Sequence, residues 1–136
     1  MFPRDFQRKR VYDWEHEFLS PISRELRKEG IVDYARLICT TYGIKNIKGV
    51  VFPERGPALF DFYHSKIHLP PWALNTWLVS HELAHHFTYS IHRRMVPLHG
   101  AEFVGWHIQI MSDHGNKSLK TLHTSAKMRK LRVILP

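Results

Sequence analysis

The chain has 136 residues, 43 % of them hydrophobic and 24 % charged, the size and composition of one ordinary globular domain rather than of a disordered or fibrous protein. Its single cysteine, Cys39, excludes an internal disulfide framework and a Cys-based zinc cluster, and no window approaches the roughly 20 apolar residues of a membrane span. The net charge of +8 sits at the ends: residues 1–10 carry +3, residues 115–136 carry +6 and the remainder −1. We therefore expect a single domain over 1–136 with basic ends (1–12 and 115–136). The N-terminal charges are followed by no apolar stretch, so the expected location is the cytoplasm, with no membrane partner.

Taken in chain order, Trp14, Phe18, Ile22 and Leu26 fall four apart and predict an amphipathic helix within 13–28, ended or kinked by Pro21. A second helix is expected over 31–42, with Tyr34, Ala35, Leu37 and Ile38 toward the core and Gly43 as its stop. Three β-rich runs follow at 47–52, 58–63 and 66–69, separated by turn residues, and predict a short antiparallel meander. Pro70 and Pro71 precede a helix from Leu74 to about Tyr89 that is apolar on most sides and so central. Helices over about 101–111 and 118–131 complete an α+β chain.

The central helix contains His81-Glu82-Leu83-Ala84-His85, an H-E-x-x-H motif. Residues i and i+4 share a helix face, so two imidazoles can reach one zinc at about 2.0–2.1 Å. Glu82 projects about 100° around the helix from His81, beside the metal position rather than onto it. In a chain this rich in histidine the motif arises by chance at roughly 4 %, so its setting matters. Here ionisable side chains interrupt an apolar run, where burying them without a purpose is costly.

A catalytic zinc has three protein ligands and one open position. His92, His99 and Glu102 compete for the third place; His92 is disfavoured because Thr88 stands where the compact three-histidine motif needs glycine. Pro97-Leu98-His99-Gly100 opens the next helix, whose first turn could aim His99 at the metal. The string His81-Glu82-Leu83-Ala84-His85 followed by His99-Gly100-Ala101-Glu102-Phe103 resembles the SprT-like metallopeptidases, including their small bacterial and phage relatives. The likeness covers about residues 66–106.

That resemblance implies a minimal zincin-like fold: N-terminal helices, a short three-stranded antiparallel sheet, the active-site helix, and a following helix carrying the third ligand. It implies one zinc per chain held by His81, His85 and His99, with Glu82 as general base. It further implies hydrolysis of peptide bonds in protein substrates by Glu-assisted attack of a zinc-activated water. His68, on the strand before the active-site helix, would line the substrate cleft. Tyr63, Tyr89 and His107 are candidates for stabilising the oxyanion.

The basic ends, with Arg8, Lys9, Arg10, Lys127, Arg129 and Lys130, would contact DNA if they meet on one face, and the substrates would then be DNA-associated proteins. Two alternatives are a regulatory protease like the ImmA/IrrE group, cleaving a repressor, and a zinc-stabilised nucleic-acid-binding module without catalysis. The intact Glu82 argues against the second, because a structural site has no use for a base. The remaining histidines, His64, His68, His107, His114 and His123, read most simply as surface or hydrogen-bonded residues.

Overall fold

The first helix starts and stops earlier than the apolar spacing suggests. In the computed structural model, which describes residues 1–115 and 117–136, α1 spans Arg8–Trp14, widens into a π-helical turn at Glu15–Leu19 and ends in a 3₁₀ turn at Ser20–Ile22. Asn116, within the basic end 115–136, lies outside the described residues. The helical run ends at Ile22, at the break expected from Pro21, and the apolar spacing does not continue as helix beyond it: residues 23–27 are extended, and Glu25 bridges antiparallel to Asn75. Pro21 cannot donate to a continuing helix. The freed strand instead turns its polar atoms to the start of the central helix, where Thr76 N donates to Arg24 O at 2.9 Å and Trp77 N to Ser23 Oγ at 3.0 Å.

Helix α2 spans Ile31–Thr41 and buries Ile31, Ala35, Ile38 and Cys39. Leu37, expected in the core, is 57 % exposed because it lies on the opposite face from that stripe. Strands β1 (Gly49–Val51), β2 (Leu59–Asp61) and β3 (Lys66–His68) form a sheet in the order β1-β3-β2. The sheet is mixed, and the expectation of an antiparallel meander is corrected. β2 and β3 do pair antiparallel through a tight turn in which Asp61 Oδ1 accepts from Tyr63 N and His64 N, both at 3.0 Å. β1, however, runs parallel to β3, Val50 opposite Ile67. The link between β1 and β2 carries Pro53 and Pro57 and is too long for a two-residue hairpin, so the third strand inserts between the first two.

The sheet packs on α3 (Thr76–His92) through Phe60 and Ile67, which point inward opposite one another. Asn75 caps α3 by accepting from Leu78 N at 2.9 Å, the usual role of this residue type at a helix start. As expected, α3 is central: from Leu78 through Thr88 every residue is buried. Helix α4 (Ala101–His114) lies against it, and α5 (Leu119–Met128) packs on α4 through Leu122 and Ala126. Five α-helices and one three-stranded mixed sheet thus make up an α+β fold among the described residues. No described helix is long and apolar enough to cross a membrane.

Candidate metal centre

Helix α3 delivers His81 and His85 to one face, one turn apart. The loop before α4 brings in His99, and one ring nitrogen or other donor from each of the three lies within 4.8 Å of the others. All three rings are buried, at 7 %, 8 % and 5 % exposure. A glycine suits position 100, because a Cβ there would come within 3.1 Å of the Pro97 ring. His99 is therefore held at the mouth of α4 by a tight local turn.

Two of the rings are oriented by carboxylates. His81 Nδ1–H donates to Glu15 Oε2 at 2.5 Å, and His99 Nδ1–H to Asp5 Oδ2 at 2.7 Å, while Asp5 Oδ1 also accepts from the His99 backbone N at 3.0 Å. A carboxylate on Nδ1 fixes the tautomer and leaves Nε2 as the free ligand atom. His99 Nε2 is buried with no hydrogen-bond partner. A buried polar atom left bare is costly, and that cost is removed if the atom ligates a metal. The donor set of three imidazoles, two with outer carboxylates, fits a divalent zinc-type ion.

The electrostatics agree with that reading. Burial pushes the His85 ring well below its ordinary value, with the neighbouring histidines adding to the effect. Burial would lower His81 also, but the Glu15 charge, then that of Glu82, outweighs it and raises the ring to about 9. In the metal-free protein His81 and Glu15 are thus an ion pair, and a metal must displace the His81 proton. Glu82, 4 % exposed, is pushed up to about 7 by burial, with the charges of His81 and Glu15 acting in opposite senses.

Glu82 and His81 open on a cavity of 260 Å³ walled by Tyr12, Trp72 and Trp77 with Ala58 and Leu78. Tyr12 stacks on His81 at 6.2 Å between centroids and meets His99 edge-on at 5.2 Å. On the other side His85 borders a narrow crevice of about 10 Å³ shared with Phe2, Tyr89 and Arg93. Glu102, the competing third ligand, is half-buried and stands outside the triad.

No family model, curated protein or solved structure matches this chain. The functional reading therefore rests on the site itself.

Sequence reasoning missed Asp5, Tyr12 and Glu15 as parts of this site. Asp5 is the lone acid in the basic N-terminal run, which says nothing of its partner, and the burial of Glu15 is seen only in the fold. His107 is hydrogen-bonded rather than at the surface: it is fully buried, its Nε2 3.3 Å from Trp77 O and its Nδ1 3.4 Å from Glu15 Oε2 without an aligned hydrogen bond, and burial lowers it to about 4. It stands behind His81, away from the cavity that Glu82 faces. Tyr63 is 89 % exposed in the β2–β3 turn, and His68 is half-buried on β3 outside both openings of the triad.

The basic ends meet in part. Arg10 of α1 shares a surface hollow with Arg129 and Lys130, and Lys127 is exposed on the same helix end. The charge there is partly neutralised, since Lys9 pairs with Asp13 at 3.0 Å and Arg129 pairs with Glu17. Arg8 donates to Tyr12 Oη at 3.3 Å, so it belongs to the edge of the metal centre rather than to that hollow.

Proposed function

We propose that this chain is a zinc-dependent peptidase of the SprT-like type, built as a minimal zincin in which α3 supplies His81, Glu82 and His85 and the entry to α4 supplies His99. The observation that carries the reading is the convergence of three buried imidazoles, two already oriented by carboxylates, around the bare Nε2 of His99. A zinc ion held by them would polarise a substrate carbonyl and acidify a water molecule. Glu82, buried next to His81 on the same helix, would take a proton from the attacking water and return it to the leaving amine. Glu15 and Asp5 hold the His81 and His99 rings in register. Tyr12, at the edge of the cavity that Glu82 faces, is the side chain best positioned to donate to a developing oxyanion, in place of Tyr63, Tyr89 or His107.

Glu82 also argues for catalysis over a purely structural metal. DNA-associated proteins are the proposed substrates, supported by the approach of Arg10 to Arg129 and Lys130. The test is Glu82→Gln: bound zinc should be retained while peptide hydrolysis falls by about 10²-fold or more. A zinc-loaded variant that still turns over at the wild-type rate would remove Glu82 from the mechanism.

A further inference from the structure

A hollow of about 590 Å³ lies beside the triad and is not used by the mechanism above. It is formed where the start of β1, the β2–β3 turn and the last turn of α3 come together. Lys45, Lys48 and Arg93 line it, and no acidic side chain does. None of the three cations is in an ion pair among the described residues, and all are exposed. Asn46 Oδ1, also in the wall, is buried without a hydrogen-bond partner.

This hollow shares Phe62, Tyr89 and Arg93 with the crevice that reaches His85. The two spaces therefore share a wall, and the Phe2 ring lines the crevice, held by ring contacts with Phe62 at 5.3 Å and Tyr89 at 6.4 Å and by Arg94 over its face at 5.0 Å.

We propose that this hollow is the extended substrate subsite, and that it selects peptides carrying aspartate or glutamate on the side of the scissile bond that leaves past His85. The proposal rests on the reading of the triad as a peptide-hydrolysing centre. Unpaired cations without a neighbouring acid attract carboxylates. The aromatic walls favour a peptide over unpaired bases. Phe60, Phe62 and Tyr89 are engaged edge-on with one another, Phe60–Phe62 at 5.0 Å and 88° and Phe62–Tyr89 at 5.1 Å and 68°, so of the aromatic walls only the exposed Tyr63 offers an open face, too few for a run of stacked bases.

The experiment uses two quenched fluorescent peptides of one sequence, with either glutamates or glutamines flanking the cleaved bond. They are tested as substrates of the zinc-loaded wild type and of Lys45→Glu/Lys48→Glu, and as ligands of Glu82→Gln with and without the same charge reversals. The reversals should raise KM for the acidic peptide and weaken its binding by roughly tenfold, with a much smaller change for the neutral peptide and the difference shrinking at high salt. Equal handling of the two peptides by the wild type would overturn the proposal. So would an oligonucleotide that competes the acidic peptide away and whose own affinity falls with the same reversals, which would assign the hollow to nucleic acid. Charge-selective binding without cleavage of either peptide would leave the acidic-peptide site standing and refute the peptidase reading.

Discussion

At the scale of single residues, the centre depends on side chains that never touch the metal. Asp5 and Glu15 each hold one ligand ring through Nδ1, so Asp5→Asn or Glu15→Gln should lower zinc affinity by about 10- to 100-fold while leaving the three ligands intact. A competition titration against a chromophoric chelator reads this directly, and unchanged affinity in both variants would deny them that role. The protonation of the buried groups gives a second prediction, for the metal-free protein. His107 falls from 6.5 to about 4 and His85 falls well below 6.5, so between those limits the unfolded chain binds protons that the folded chain refuses, and stability drops as pH falls from about 6.5. Glu82 works the other way: raised from 4.5 to about 7, it binds a proton preferentially in the folded state and offsets part of that loss. The acid sensitivity of the chelated protein should therefore be steeper in Glu82→Gln than in wild type, measured by denaturant midpoints from pH 6.5 down to 4.5.

At the scale of elements, the metal centre is a property of the α3–α4 pair. Gly105 in α4 lets the C-terminal tail cross close to the helix: a Cβ there would collide with the Ile134 carbonyl, and Ile134 N donates to Ala101 O at 3.0 Å. Gly105→Ala should thus cost about 1–3 kcal/mol by overpacking, despite the better helix propensity of alanine, and a chemical denaturation curve would show it. A gain in stability would mean that the tail is not seated on α4. α3 was legible in the sequence because a long apolar run without an internal proline carries a motif whose i, i+4 spacing suits a helix. The mixed sheet was not, because each strand is three residues long and period-2 alternation carries no information about which neighbour a strand chooses. The first helix misled for a related reason: Trp14, Phe18, Ile22 and Leu26 all reach the core, but Ile22 ends the helix and Leu26 arrives on an extended segment. His99 was legible through Gly100 and the start of α4, whereas Asp5 and Glu15 lie far away in sequence, at separations of 94 and 66 residues from their partners, and no local pattern announces such contacts.

At the scale of the whole molecule, the two ends of the chain close the site from behind. Gln7, 1 % exposed, donates through Nε2 to His99 O at 3.0 Å and to Arg132 O at 3.2 Å, and its Oε1 accepts from Arg132 N at 2.9 Å. One amide thereby ties the N-terminal segment, the loop of the third ligand and the C-terminal tail together, so occupation of the metal centre and stability of the whole fold are linked. The central claim, a zinc held by His81, His85 and His99, is tested most directly by elemental analysis of the purified wild type and of His99→Ala after equilibration with zinc and removal of excess. The proposed function predicts about one zinc per chain in the wild type and loss of that zinc in the variant. A wild type that takes up none, or a His99→Ala variant that keeps its full complement, would contradict the account.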